Sequence, residues 1–345
     1  MRMKLALPLL ALVLAAAADP PWDWSDPDQW TESSDFAASK ALCAQARDRE
    51  PPAADRPDAA AAAALKDCDS EALYYGIGVK ADPVRARQCA FLEAEREAQG
   101  GGIYGRTTLM TIYANGVGVK RDYDVAIHLA CGVEGAPMES HGRVMELARM
   151  KADASTASDF HFCDHVTSGY GSSLCAMHGA RITGAARDAK LAKLSAGWSA
   201  AERKAFEPLR RAHAAFVEAS AGGETDLSGT ARGAFVVEAE EALKDEFLAI
   251  LRDLSAGAVR PFTAVQARSS DAELNAAYRK LMAETRPSEF PGAVTREGIR
   301  DAQRAWLRYR DAFIAFGAVK FPAVSRDTLL GLLSQKRKRM LEGTS

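Results

Sequence analysis

Strong net charge, cysteine in the second half and long apolar runs are what this chain of 345 residues has little of. Its formal net charge is −2, too mild to leave the electrostatic footprint of a nucleic-acid binder, so no nucleic-acid partner is predicted. Beyond the first 18 residues no segment is long and apolar enough to cross a bilayer as a helix, which takes about 20 residues, so no membrane span is predicted. A nucleophile with a recognisable setting is missing too, because neither a G-x-S-x-G elbow nor an S-x-x-K motif occurs. The expectation is therefore a binding protein rather than an enzyme, with no cofactor. Glycine and proline are unexceptional at 26 and 14 residues, and abundant alanine favours helix over strand. An all-α chain follows, long enough for about two domains.

The N-terminus has its own character. Arg2 and Lys4 precede an uncharged run from Leu5 to Ala18, which ends in Ala16-Ala17-Ala18 before Asp19-Pro20. That order of basic, apolar and small residues is a secretory leader, with cleavage expected after Ala18. Loss of Arg2 and Lys4 takes the formal charge to −4. A periplasmic or secreted protein is expected, and six cysteines, Cys43, Cys68, Cys89, Cys131, Cys163 and Cys175, fit an oxidising compartment as disulfides.

From Asp19 to about Asp35, Trp22, Trp24 and Trp30 lie among prolines and acidic residues without helical period. This reads as an extended arm whose tryptophans cover a groove of the same protein. A short helix is expected over 37–47, and the three prolines between 49 and 57 predict a loop.

An internal repeat follows. The segment Glu71 to Ala86, with Tyr75-Gly76-Ile77-Gly78-Val79-Lys80-Ala81-Asp82, is echoed from Thr108 to Ala126, with Asn115-Gly116-Val117-Gly118-Val119-Lys120-Arg121-Asp122. Each copy predicts a helix, a glycine turn and a second helix, capped by Asp82 or Asp122. The pattern resembles the Sel1-type repeat, a relative of the tetratricopeptide repeat, over roughly residues 60–150. The resemblance implies hairpins stacked into a short solenoid that holds protein partners. Cys68 and Cys89 flank the Gly78 turn about equally, so the hairpin would bring them level; Cys43 with Cys131 then remains by elimination. Pairing of neighbours, Cys43 with Cys68 and Cys89 with Cys131, is the rival scheme.

His161, Cys163, His165, Cys175 and His178 crowd together as zinc ligands do. Their spacing fits neither a helical i, i+4 pair nor a C-x-x-C knuckle, and a Cys163–Cys175 disulfide around a polar turn is expected instead, with no metal.

Downstream, three apolar stripes at helical spacing predict long amphipathic helices between Ala192 and Met340. Trp198, Phe206, Leu209, Phe216 and Val217 form the first. Phe235, Ala239, Ala242, Leu243, Phe247, Leu248 and Leu251 form the second, after a loop over 221–230. Ile299, Ala302, Trp306, Tyr309, Phe313 and Phe316 form the third. The stretch Asp271 to Met282, with Leu274, Asn275 and Tyr278, and then Asp301 to Asp311, with Ala302-Gln303-x-x-Trp306-x-x-Tyr309-Arg310, resembles the LprI-like family over about 262–340. That resemblance implies a small exported helical domain, some of whose members inhibit lysozyme. It also implies cysteine staples, where this chain has none and carries Phe313 at an expected cysteine position.

Asn275, Tyr278, Gln303, Trp306, Tyr309 and Arg310 are the candidate binding residues. As interhelical hydrogen-bonding groups, Asn275, Gln303 and Arg310 would instead fix helix register. Lysozymes are often basic, so acidic residues such as Glu240, Glu241 and Asp245 suit such a partner better than the arginines Arg304, Arg308 and Arg310. A shorter echo, Leu209 to Phe216 against Ile299 to Trp306, points to two related helical units, and Lys336 to Arg339 suits a helix C-terminus.

The expected order is a leader at 1–18, an arm and first helix at 19–59, a Sel1-like region with disulfides at 60–190 and an LprI-like domain at 191–345. The expected role is an exported adaptor that binds an envelope protein, a lysozyme or another cell-wall lytic enzyme among them. Alternatives are an enzyme acting on cell-wall fragments or β-lactams and a structural envelope protein.

Overall fold

The computed structural model describes residues 22–26, 34–100, 104–153 and 159–343. The leader, its cleavage point and Trp30 lie outside them. The protein is all-α, with thirteen α-helices and no strand among the described residues.

The first helices are α1 (Ala37–Ala46), α2 (Ala59–Ala64), α3 (Ser70–Tyr75), α4 (Pro83–Gly100), α5 (Tyr104–Asn115), α6 (Tyr123–Cys131) and α7 (Pro137–Ala152). From α3 to α7 each helix packs on the next. The two repeat copies are the hairpins α3–α4 and α5–α6, and they are closed alike. Gly76 and Gly116 follow their first helices at φ 74° and 66°, a region where a side chain is strained. Asp82 N donates to Leu73 O at 2.8 Å, and Asp122 N to Tyr113 O at 3.0 Å. The side chains of Asp82 and Asp122 then accept from the first turns of α4 and α6.

Disulfides join Cys43 to Cys131, Cys68 to Cys89, and Cys163 to Cys175. The neighbour-pairing scheme is thereby set aside. Cys43–Cys131 ties α1 to the end of α6, and the arm follows it inward: Trp24 is fully buried, its Nε1 donating to Ser39 Oγ at 3.0 Å and its backbone N to Cys131 O at 2.9 Å. Together with Phe91, Met110, Tyr113, Leu147 and Met150, it forms the N-terminal core.

A second core lies in the remaining helices, α8 (Gly169–Ser195), α9 (Ala200–Gly223), α10 (Arg232–Ser255), α11 (Ala264–Glu284), α12 (Arg296–Lys320) and α13 (Arg326–Leu341). The third predicted stripe is buried throughout, from Ile299 to Phe316, each residue 5% exposed or less. Correction is needed for the second. Phe235 and Ala242 face solvent, and the inward face of α10 runs instead through Ala234, Phe247, Ile250, Leu251 and Leu254. The segment after Cys163, expected as a turn, begins α8 at Gly169 after the Ser168 cap. The boundary expected at 190/191 falls within α8.

These six helices form two three-helix units of like design. In the first, Thr183 of α8 meets Glu241 of α10 and Arg187 meets Asp245, so the two helices run parallel. In the second, Ser270 of α11 meets Gln335 of α13 and Glu273 meets Lys338, again parallel. The middle helices, α9 and α12, pack antiparallel to one another. Glu202 at the start of α9 pairs with Lys320 at the end of α12 at 2.9 Å. At the other end the backbones cross at Gly223 and Gly298, where a Cβ added to Gly298 would stand 2.6 Å from Gly223 O. The sequence echo maps onto this arrangement: His213 of α9 bonds Leu243 O of α10, and its counterpart Gln303 of α12 bonds Arg337 of α13.

Candidate partner-binding surface

α11 starts at a capping box in which Thr263 Oγ1 accepts from Gln266 N while Gln266 Oε1 accepts from Thr263 N. Leu274 then points into the core, 1% exposed. The next residue, Asn275, is exposed and its Nδ2 donates to Asp271 O and Oδ2 within its own helix, so it bridges no helices. Tyr278 is half-buried on the same helix.

The α12 residues of the motif belong to the interior. Trp306 and Tyr309 are 2% and 5% exposed, and Tyr309 stacks on Phe216 of α9 with ring centres 5.6 Å apart. Burial drives the Tyr309 phenol far above its ordinary pKa. Gln303 accepts from Arg337 Nε at 3.0 Å. Arg337 is fully buried and also grips the Glu224 carboxylate at the end of α9, as a buried cation must. Arg310 lies over the Trp306 ring at 5.4 Å and reaches Asp271 of α11 at 3.7 Å. Gln303 and Arg310 thus tie helices together. Phe313, fully buried between Phe247 and Tyr309, fills by packing the place where a staple was expected.

Of the six candidate residues, three lie inside, Arg310 is half-buried, and only Asn275 and Tyr278 reach the surface of α11. The acidic alternatives are engaged as well. Glu240 and Glu241 pair with Lys244, and Glu241 and Asp245 with Arg187. Within the run from Lys336 to Arg339, expected to suit a helix end, Lys336, Arg337 and Lys338 pair with Glu246, Glu224 and Glu273 on three other helices.

What does face outward is the connection from α11 to α12. Arg286 to Gly292 are all exposed, and Phe290 at 76% is the most exposed large apolar side chain among the described residues. The backbone around it is nonetheless held. Leu227 N donates to Gly292 O at 2.8 Å, Ala293 N to Phe290 O at 3.2 Å, and Arg296 Nε to Thr285 O at 3.0 Å. The corresponding connection in the first unit, between α8 and α9, is short, and its Trp198 is buried. In the sequence this loop reads as a gap between motifs; Pro287, Pro291 and Gly292 around a lone phenylalanine are the signal that marks a shaped turn.

Comparison with known proteins bears on this same region. A family model described as lysozyme inhibitor LprI matches residues 257–337, from the turn before α11 into the last turns of α13. No curated protein matches the chain, and no solved structure matches it.

Proposed function

We propose that the helical unit over 257–337 binds and inhibits a lysozyme-type enzyme, and that the loop between α11 and α12 is the element it presents. The family-model match carries this reading, since it is to an inhibitor family and not an enzyme family. The choice of loop rests on the motif residues being used largely within the fold, while Phe290 has no packing role. An exposed aromatic on a backbone already fixed by hydrogen bonds loses little freedom on docking, and aromatics dominate interface energetics.

The repeat hairpins support the rest of the proposal. They form a Sel1-type module over about 60–190 that holds an envelope partner, ahead of an LprI-like domain at 191–345, with α8 as the continuous link. The three disulfides and the inhibitor-family match suit a periplasmic or secreted protein released from a leader at 1–18.

The test is a lysis assay on a cell-wall suspension. The protein slows lysozyme, and Phe290→Ala raises the concentration needed by about tenfold or more without lowering the melting temperature. Phe235→Ala, at an exposed site on α10, leaves inhibition unchanged. Equal inhibition by Phe290→Ala removes the loop from the interface. A wild-type protein that neither slows a lysozyme nor retains one on a column removes the function itself.

A further inference from the structure

The first helices of the two three-helix units, α8 and α11, differ in what covers them. On α8, His178 and Arg181 meet the start of α3. The His178 Nδ1 contacts the carboxylate of buried Glu71, Arg181 holds that carboxylate and the one of Asp69, and Tyr75 lies edge-on to the His178 ring at 4.6 Å. Asp69 is the N-cap of α3 and Glu71 stands in its first turn. This face of α8 therefore receives an acidic helix start.

The equivalent face of α11 is bare. Thr183 of α8 and Ser270 of α11 hold like places, bonded to Glu241 of α10 and Gln335 of α13. Two residues beyond Glu241 and Gln335 lie Leu243 and Arg337, the partners of the echo residues His213 and Gln303. Counted back from Thr183 and Ser270, His178 and Arg181 correspond to Val265 and Arg268. Val265 is 67% exposed, and Arg268 is exposed as well. Helical spacing carries the same face on through Ala272, Asn275 and Arg279, all exposed, as a stripe of about 21 Å.

The positive charge of this stripe is not neutralised within the fold. The acids of α11, Asp271, Glu273 and Glu284, are paired with Arg310, Lys338 and Lys280 at 3.7, 3.0 and 4.0 Å. Arg268 and Arg279 have no ion pair among the described residues. The two units differ in charge accordingly: residues 257–337 carry 14 Lys and Arg against 8 Asp and Glu, whereas 169–255 carry 11 against 12. An excess of one sign on one unit favours a partner of the other sign.

Three anionic partners compete for the stripe. A lipid surface is held by clusters of about four to eight basic residues, and the stripe has two. A second copy of the chain offers no free counterpart of the α3 start, because its own Asp69 and Glu71 are held by its own Arg181. An acidic peptide fits both features, with carboxylates for the arginines and an apolar side chain for Val265, as α3 supplies carboxylates to Arg181 and a tyrosine to His178.

We propose that the outward stripe of α11 from Val265 to Arg279 is a docking site for an acidic peptide of a second protein, which meets it as the start of α3 meets α8. The site is distinct from the loop at 286–292 and does not depend on lysozyme inhibition.

The test titrates the full chain into a fluorescein-labelled peptide copying Lys66 to Ile77 with Cys68→Ser, read by anisotropy at low salt. The peptide binds with a Kd of about 1 mM or tighter. A neutral analogue, with Asp69→Asn and Glu71→Gln, binds about tenfold more weakly, and added salt weakens the acidic peptide alone. Arg268→Gln in the full chain weakens binding about fivefold and Val265→Ser about threefold. Both positions are exposed, so neither variant lowers the melting temperature. Phe290→Ala leaves peptide binding unchanged, which separates this site from the inhibitory loop. The proposal is overturned if the two peptides bind equally, if neither binds, if Arg268→Gln has no effect, or if Phe290→Ala abolishes binding. It is equally overturned if Arg268→Gln instead releases the chain from phosphatidylglycerol vesicles, or dissociates a dimer in sedimentation, while peptide binding stays the same.

Discussion

Acidification tests the buried imidazole of His213. This ring stacks on Phe247 at 4.1 Å, and its Nε2–H donates to Leu243 O at 3.3 Å. It is 8% exposed, and burial, with help from the nearby cations Lys244 and Arg187, pushes its pKa down to about 4. The unfolded chain keeps the ordinary value of about 6.5. Between the two the unfolded state takes up a proton that the folded state refuses, so stability is full above about pH 6.5 and falls as the pH drops toward 4. From pH 7 to 4.5 the loss due to this one group is about 2.5 kcal/mol. Urea unfolding of wild type and His213→Gln at both pH values measures it. Glutamine is the residue at the equivalent place on α12, and it has no charge to gain. His161, His165 and His178, whose pKa values burial also lowers, titrate in both proteins and cancel in the difference. Wild type should lose about 2.5 kcal/mol more than the variant over that interval. Equal losses would refute the assignment of a neutral, desolvated His213.

Four further outcomes are expected. Gly298→Ala, which would add about 1 kcal/mol in an ordinary helix, lowers the melting temperature, because its methyl meets Gly223 O at 2.6 Å. Arg337→Ala costs about 3–5 kcal/mol in chemical denaturation, since Glu224 and Gln303 lose their buried partner. Trp306→Ala, at 2% exposure, costs a similar amount through the cavity it leaves. Replacing Cys43 and Cys131 by alanine removes a link across 88 residues, worth about 4–5 kcal/mol by loop entropy, against about 3 kcal/mol for the 12-residue Cys163–Cys175 link; calorimetry of each variant ranks them.

The fold was largely legible in the sequence where local chemistry decides it. Gly76, Gly116, Asp82 and Asp122 set the hairpins from within a few residues, and the stripe from Ile299 to Phe316 announced α12 because every member is turned into the interior. The second stripe misled at Phe235 and Ala242, since α10 packs on both α8 and α9 and its inward face turns accordingly. The candidate site was less legible. Motif residues such as Trp306 and Tyr309 stand out in sequence for being large and regularly spaced, and those are the properties that fill a core. Phe290 carried no period at all, and only the anchoring of Gly292 to Leu227, distant in sequence, makes it a presented side chain. The partnership of Glu71 with His178 was equally out of reach, because 107 residues separate the two.

The antiparallel seam between α9 and α12 has a consequence for chain cutting. Each three-helix unit contributes one wall of a shared interior, Phe206 and Phe216 from one side and Tyr309 and Phe316 from the other. A fragment ending after α10 and a fragment beginning before α11 would each carry half a core and an uncovered apolar helix. Mixed together, the two should reassemble through that seam, and the second fragment alone should pair with itself, since α12 repeats the pattern of the helix it has lost.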